Sequence, residues 1–116
     1  LSACLGGDIP QKLINRDFEG ATELALRMNE IMGEGNFYLE LQYNNLAEQK
    51  EVNAALIELS QKTGIPLIAT NDVHYINRSD AKSQEILMCI QTGKTMEDPD
   101  HMRLRCGSIL RLIRRL

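Results

Sequence analysis

The chain has 116 residues, 43% of them hydrophobic, 4% aromatic and 25% charged, with a formal charge of −3 at pH 7. That is enough for one small domain, and so ordinary a composition excludes collagen-like and low-complexity chains. The longest strictly apolar runs are four or five residues, far short of the ~20 that a membrane-spanning helix needs.

In chain order, Leu1–Cys4 reads as the end of an earlier strand, running into Gly6-Gly7, where the backbone turns freely. This opening is neither an initiator segment nor a signal peptide, so an internal piece of a longer protein is expected. A helix follows at about 17–32, with Phe18, Ala21, Leu24, Ala25, Met28, Ile31 and Met32 on one face. Gly33 and Gly35 stop it. Residues 36–42, Asn-Phe-Tyr-Leu-Glu-Leu-Gln, alternate and favour a strand. A second helix, about 46–63, carries the stripe Val52, Ala55, Leu56 and Leu59 and closes at Gly64. Residues 65–70, Ile-Pro-Leu-Ile-Ala-Thr, are a short apolar run of the kind that forms a buried parallel strand. A third helix, from an N-cap at Ser79 to about Thr92, ends before Gly93. Strands separated by helices of this length imply crossover connections and a parallel sheet, hence an α/β fold. Two strands and a stub cannot complete such a domain, so a portion of a barrel or of a larger wound sheet is expected.

Charge and cysteine narrow the function classes. Five Arg and no acid lie between Arg103 and Leu116, whereas residues 1–102 carry 8 basic and 16 acidic residues. So acidic a body is a poor electrostatic footprint for nucleic acid. Three cysteines at unrelated spacings, Cys4, Cys89 and Cys106, do not make a disulfide framework and fit a reducing cytoplasm.

In parallel α/β folds, ligands gather at the C-terminal ends of the strands. Those ends offer Cys4, then Glu40 and Gln42, then Asn71-Asp72-Val73-His74-Tyr75. In extended backbone, Asp72 and His74 point to the same side, and a carboxylate beside an imidazole can bind a divalent metal, with Cys4 adding a thiolate. Blander readings stand beside this one. Asp-x-His also makes turns with a solvated His, and a lone Cys is commonly a small buried hydrophobe. Glu40 reads as a face-out or salt-bridged carboxylate, Cys89 as core, and His101 as solvated and without a partner. No Gly-rich phosphate loop, Ser-His-Asp set or Cys-x-x-Cys pair is present.

Taken together, five blocks are distinctive: Ser2-Ala3-Cys4-Leu5-Gly6-Gly7-Asp8-Ile9-Pro10, Asn36-Phe37-Tyr38-Leu39-Glu40-Leu41-Gln42, Glu48-Gln49-Lys50-Glu51-Val52-Asn53, Ile68-Ala69-Thr70-Asn71-Asp72-Val73-His74-Tyr75 and Ile90-Gln91-Thr92-Gly93-Lys94-Thr95. In this order and spacing, over about residues 1–103, the chain resembles the polymerase-and-histidinol-phosphatase (PHP) domain of bacterial replicative DNA polymerase III alpha subunits. The resemblance implies a distorted (β/α)7 barrel whose metal cleft lies at the C-terminal ends of its strands. It also implies a phosphoesterase-type site holding zinc, manganese or iron, used by some alpha subunits as a 3′–5′ proofreading exonuclease. Cys4, Asp72 and His74 match the family's ligand positions; Glu40 does not. The family's His-rich ligand motifs would lie upstream and the polymerase centre, with its magnesium, far downstream, so this piece alone should be inactive. Its parent would extend DNA with other replisome subunits in the cytoplasm, without a membrane. The alternatives are a stand-alone PHP-family phosphoesterase and a non-catalytic scaffold; the Ile90–Thr95 block favours the polymerase.

Three departures stand out. Many relatives have His-Gly-Leu-Pro at Asn44-Asn45-Leu46-Ala47, and a His at the place of Gln84. Residues 104–116 form an atypical tail in which Ile109, Leu112, Ile113 and Leu116 share a helical face opposite Arg. That tail reads either as a basic amphipathic helix for a membrane or nucleic acid, or as a sequence artefact.

Overall fold

The computed structural model describes residues 1–43 and 46–103. The expectations for the tail, for Cys106 and for Asn44-Asn45 lie outside them. Leu1–Thr70 form one compact unit and a second begins at Asn71.

In the first unit, helix α1 (Asp8–Ile14) is an element that the sequence pattern did not announce. It is stable here because Pro10 lies in the first turn, where its missing N–H is no loss, and because Asp8 complements the positive helix start. Helix α2 (Phe18–Met32) begins at Asp17, whose carboxylate accepts from the Gly20 N–H at 2.9 Å. It stops at Gly33, where φ is +84°. Its small residues Ala21 and Ala25 are fully buried, but Ile31 and Met32 are exposed, so the apolar stripe ends a turn earlier than expected. Strand β1 (Leu39–Gln42), helix α3 (Ala47–Thr63) and strand β2 (Leu67–Thr70) follow. The strands pair in parallel, from Leu39 opposite Leu67 to Gln42 opposite Thr70. Helix α1 packs on α2 and α3, and α3 packs on β1. The core joins Ile9, Leu13, Ala21, Ala25, Phe37, Leu39, Val52, Leu56, Leu59 and Ile65.

Two expectations for this unit need correction. Leu67 and Ile68 are exposed, because among the described residues β2 pairs only with β1. Leu1–Cys4 is not a strand. Ser2 donates its N–H to the Tyr38 carbonyl at 3.0 Å, but it is the Ser2 hydroxyl that accepts from the Glu40 N–H, at 2.8 Å. Ala3, with φ at +65°, then turns the chain away from strand geometry. The described residues thus form a mixed α/β arrangement of two parallel strands and four helices; a seven-stranded barrel is not shown.

Gly7 makes this turn possible. A Cβ there would lie 2.5 Å from the Ser2 carbonyl oxygen and 3.2 Å from that of Cys4. Gly7→Ala must therefore displace the Ser2–Cys4 backbone, at a cost of about 1–3 kcal/mol. The expected outcome is faster amide hydrogen exchange across α1. Gly6→Ala is the control: its Cβ would meet only the Cys4 sulfur, at 3.8 Å, and exchange should not change.

The second unit holds a 3₁₀ turn (Arg78–Asp80) and helix α4 (Ala81–Thr92). Asn77, not Ser79, starts this segment: its side chain accepts from the Asp80 backbone, while the Asp80 carboxylate accepts from the Asn77 N–H at 2.9 Å. Gly93, with φ at +67°, ends α4 as expected. Cys89 is buried, as a core residue should be, whereas its neighbours Ile86, Leu87 and Ile90 are exposed. No helix among the described residues is long and apolar enough to cross a membrane.

His101 also departs from its expectation, being buried and partnered rather than solvated. Its Nδ1–H donates to the Asp98 carbonyl and its Nε2–H to the Glu85 carboxylate. Two donated protons make the ring an imidazolium. Arg103 Nε lies 3.0 Å from both Glu85 Oε1 and His101 Nε2; an imidazolium has no lone pair to accept, so the guanidinium bonds to Glu85. The Glu85 bond, then the Asp98 carbonyl, hold the His101 pKa above its ordinary 6.5. The His101 bond holds Glu85 below its ordinary 4.5. The His101 contribution to stability is thus complete below pH 6.5 and lost as pH rises through its raised value. The Glu85 contribution is complete above pH 4.5 and lost as pH falls through its lowered value, so both are full between those limits. Glu85→Gln should lower the His101 titration midpoint followed by NMR of its ring; an unmoved midpoint would contradict the pairing.

Candidate functional site

The parallel register and the two-residue period of a strand put Glu40, Gln42 and Thr70 on one face, at the C-terminal end of the sheet. Glu40 and Gln42 are 8% and 5% exposed. Glu40 is thus not face-out, and among the described residues it makes no salt bridge. Its Oε1 accepts from the Thr70 hydroxyl at 2.6 Å and from Gln42 Nε2 at 3.2 Å. A carboxyl group withdrawn from water needs such donors. The Gln42 carbonyl accepts from Asn53 Nδ2 of α3 at 2.8 Å, fixing the strand end to the helix. Gln42 Oε1 is buried and has no hydrogen-bond partner among the described residues. Two residues after Ser2, Cys4 is exposed and free of any disulfide, which removes the reading of its thiol as a buried hydrophobe.

In the second unit, the Asp72–His74 pair is built differently from the extended dipeptide that its spacing suggested. Asp72 has φ at +51°, a left-handed conformation that Asp tolerates better than most residues. The turn brings His74 Nδ1 to 2.7 Å from the Asp72 carbonyl oxygen and 4.0 Å from its Oδ1. A carbonyl can only accept, so Nδ1 carries the proton and Nε2 keeps its lone pair. Both side chains remain partly open, at 30% for Asp72 and 39% for His74. A ligating His typically has its second nitrogen fixed in this way.

A thiol, a carboxyl and an imidazole are each donors of the kind that binds zinc and related divalent metals. Among the described residues, no three His, Cys, Asp or Glu side chains are grouped so as to hold a metal ion. Two polar centres escaped the sequence pattern. Strand alternation could have placed Glu40 and Gln42 on one face, but Thr70 lies 30 residues beyond Glu40; the pairing of His101 with Glu85 spans 16.

No protein-family model matches the chain. The chain is homologous to DNA polymerase III alpha subunits. It is 41% identical over 103 residues to that of Borreliella burgdorferi, 40% over 105 residues to that of Treponema pallidum, and 40% over 109 residues to that of Thermus aquaticus. These matches cover 89%, 90% and 91% of this chain, which spans about 9% of the length of each relative.

Proposed function

We propose that the chain is a segment of a bacterial DNA polymerase III alpha subunit and that, within that subunit, it forms part of a PHP-type domain in which Cys4, Asp72 and His74 are metal ligands. The observation that carries this reading is the identity of about 40% sustained over about 90% of the chain with alpha subunits of several bacteria. The parent extends DNA in the cytoplasm, with magnesium at its polymerase centre and other replisome subunits as partners. The local activity is metal-assisted phosphodiester hydrolysis of the 3′–5′ exonuclease type.

Held by Cys4, Asp72 and His74, a divalent metal such as zinc, manganese or iron would supply an activated water and Lewis-acid stabilisation of a phosphoryl oxygen. The residues of this chain act as its ligands and not as the acid and base. His74 offers Nε2 because its Nδ1–H is held by the Asp72 carbonyl, which fixes ring and tautomer together. Cys4 would supply a soft sulfur donor. Asp72 supplies a hard oxygen and a negative charge.

The test is made on the purified full-length subunit. Template-directed primer extension with magnesium, together with tightly held zinc, manganese or iron, is expected. A protein that hydrolyses phosphate monoesters but extends no primer would overturn the polymerase assignment in favour of a free-standing phosphoesterase.

A further inference from the structure

We infer that Glu40, which matches no ligand position of the resembled family, is a positioning residue: it anchors both of the chain segments that carry the proposed ligands. This rests on the ligand assignment above and adds a residue to it. The backbone N–H of Glu40 is held by the Ser2 hydroxyl at 2.8 Å, two residues before Cys4. Its carboxyl Oε1 holds the Thr70 hydroxyl at 2.6 Å, two residues before Asp72.

These two attachments fall where the chain needs them. Between Ser2 and Cys4 stands Ala3, at φ +65°, and Asp72 itself stands at φ +51°. Left-handed residues with a Cβ persist only when the surrounding structure holds them, and they gather at functional sites. Each of these segments is fastened to Glu40 just before its left-handed residue. Gln42 Nε2 adds a second donor to the same Oε1 at 3.2 Å; Glu40 and Ser2 are withdrawn from water, 8% and 6% exposed, and Thr70 is half-buried. Buried hydrogen bonds of this kind hold one geometry firmly, because breaking one leaves a polar group without a partner in a dry place. The carboxyl group thus sets the exit of β2, from which Asp72 and His74 follow along the chain.

The test uses the full-length subunit and zinc alone as the probe, with affinity read by competition against a chelator and melting temperature measured in parallel. Thr70→Val removes the hydroxyl donor without changing shape, and Glu40→Ala removes its acceptor. Each should weaken zinc binding by about tenfold, the lower end of what a lost supporting hydrogen bond costs a metal site, and by more than the accompanying fall in melting temperature accounts for, since the broken bond also costs stability. Thr70→Ser and Glu40→Gln keep the donor and the acceptor and should restore the affinity. A merely structural role predicts instead that affinity falls only in step with melting temperature, which overturns the inference. So does zinc binding at the wild-type level in Thr70→Val. Asp72→Asn with His74→Ala separates the two levels of the argument. If that pair weakens binding and Thr70→Val does not, Glu40 loses its role and the ligand assignment stands. If the pair leaves binding unchanged, the ligand assignment fails and takes the inference with it.

Discussion

The full-length subunit carrying Asp72→Asn and His74→Ala together should hold zinc on the order of 100-fold more weakly than the native protein, or not at all. Removing a single outer-shell partner costs ten- to a hundredfold in metal affinity, and here both side chains proposed as direct donors are altered. The loss should be local. Both side chains are partly open, at 30% and 39%, and the Nδ1 bond of His74 reaches only to the Asp72 backbone, so no core contact is lost. Elemental analysis after exhaustive dialysis reads the effect, with the far-ultraviolet circular dichroism spectrum as a check that the fold persists. Metal content equal to that of the native protein would remove both residues from the ligand set.

Leu56→Ala acts on stability instead. Leu56 is fully buried on α3, within the cluster that includes Leu39 and Leu59. Truncating such a Leu to Ala costs about 2–5 kcal/mol, since transfer energy is lost and a cavity remains. A complete domain has about 5–15 kcal/mol to lose, and this chain taken alone should have less. Leu67 and Ile68 on β2, and Ile86, Leu87 and Ile90 on α4, all stand exposed to water. The isolated 116-residue chain is therefore expected to melt broadly, and its Leu56→Ala variant to be largely unfolded at 25 °C, as read by loss of helical circular dichroism. A sharp cooperative melt of the isolated chain, or native helicity in the variant, would contradict this.

How much of this was legible from sequence depended on the distance over which each feature is decided. Helices α2, α3 and α4 were visible because their apolar spacing, with Gly33, Gly64 and Gly93 as stops, is local information. The parallel pairing of β1 and β2 followed from the helix between them. Helix α1 was not visible: seven residues give too little periodicity, and Pro10 reads as a breaker unless its place in the first turn is known. The start of the α4 segment shifted from Ser79 to Asn77 because the choice among neighbouring cap formers depends on which of them closes a reciprocal pair, here with Asp80. Exposure was least legible. An apolar strand such as β2 announces its preference for burial, not whether anything covers it, and so Leu67 and Ile68 were misjudged.

The candidate site divides in the same way. Cys4, Asp72 and His74 were candidates from their places after the strands, and only the family resemblance implied that they are ligands; the left-handed turn that sets Asp72 beside His74 was not legible, since an extended Asp-x-His is equally natural. Glu40 was misread because a carboxyl group in an apolar strand ordinarily faces water, and its donor Thr70 sits on a strand 30 residues away. His101 was misread because Glu85, on α4, precedes it by 16 residues.

Cobalt offers the sharpest test of the proposal that Cys4, Asp72 and His74 are ligands of one ion. Cobalt(II) takes zinc-like sites, and a thiolate bound to it produces a charge-transfer band in the near ultraviolet that no other ligand of the set can supply. The full-length subunit loaded with cobalt should show that band, and Cys4→Ser should abolish it. The band should also fall away in Asp72→Asn with His74→Ala, although the thiol is untouched there. A cobalt-loaded native protein without the band, or a band that survives the loss of Asp72 and His74 unchanged, would mean that Cys4 and the Asp72–His74 turn do not serve the same metal.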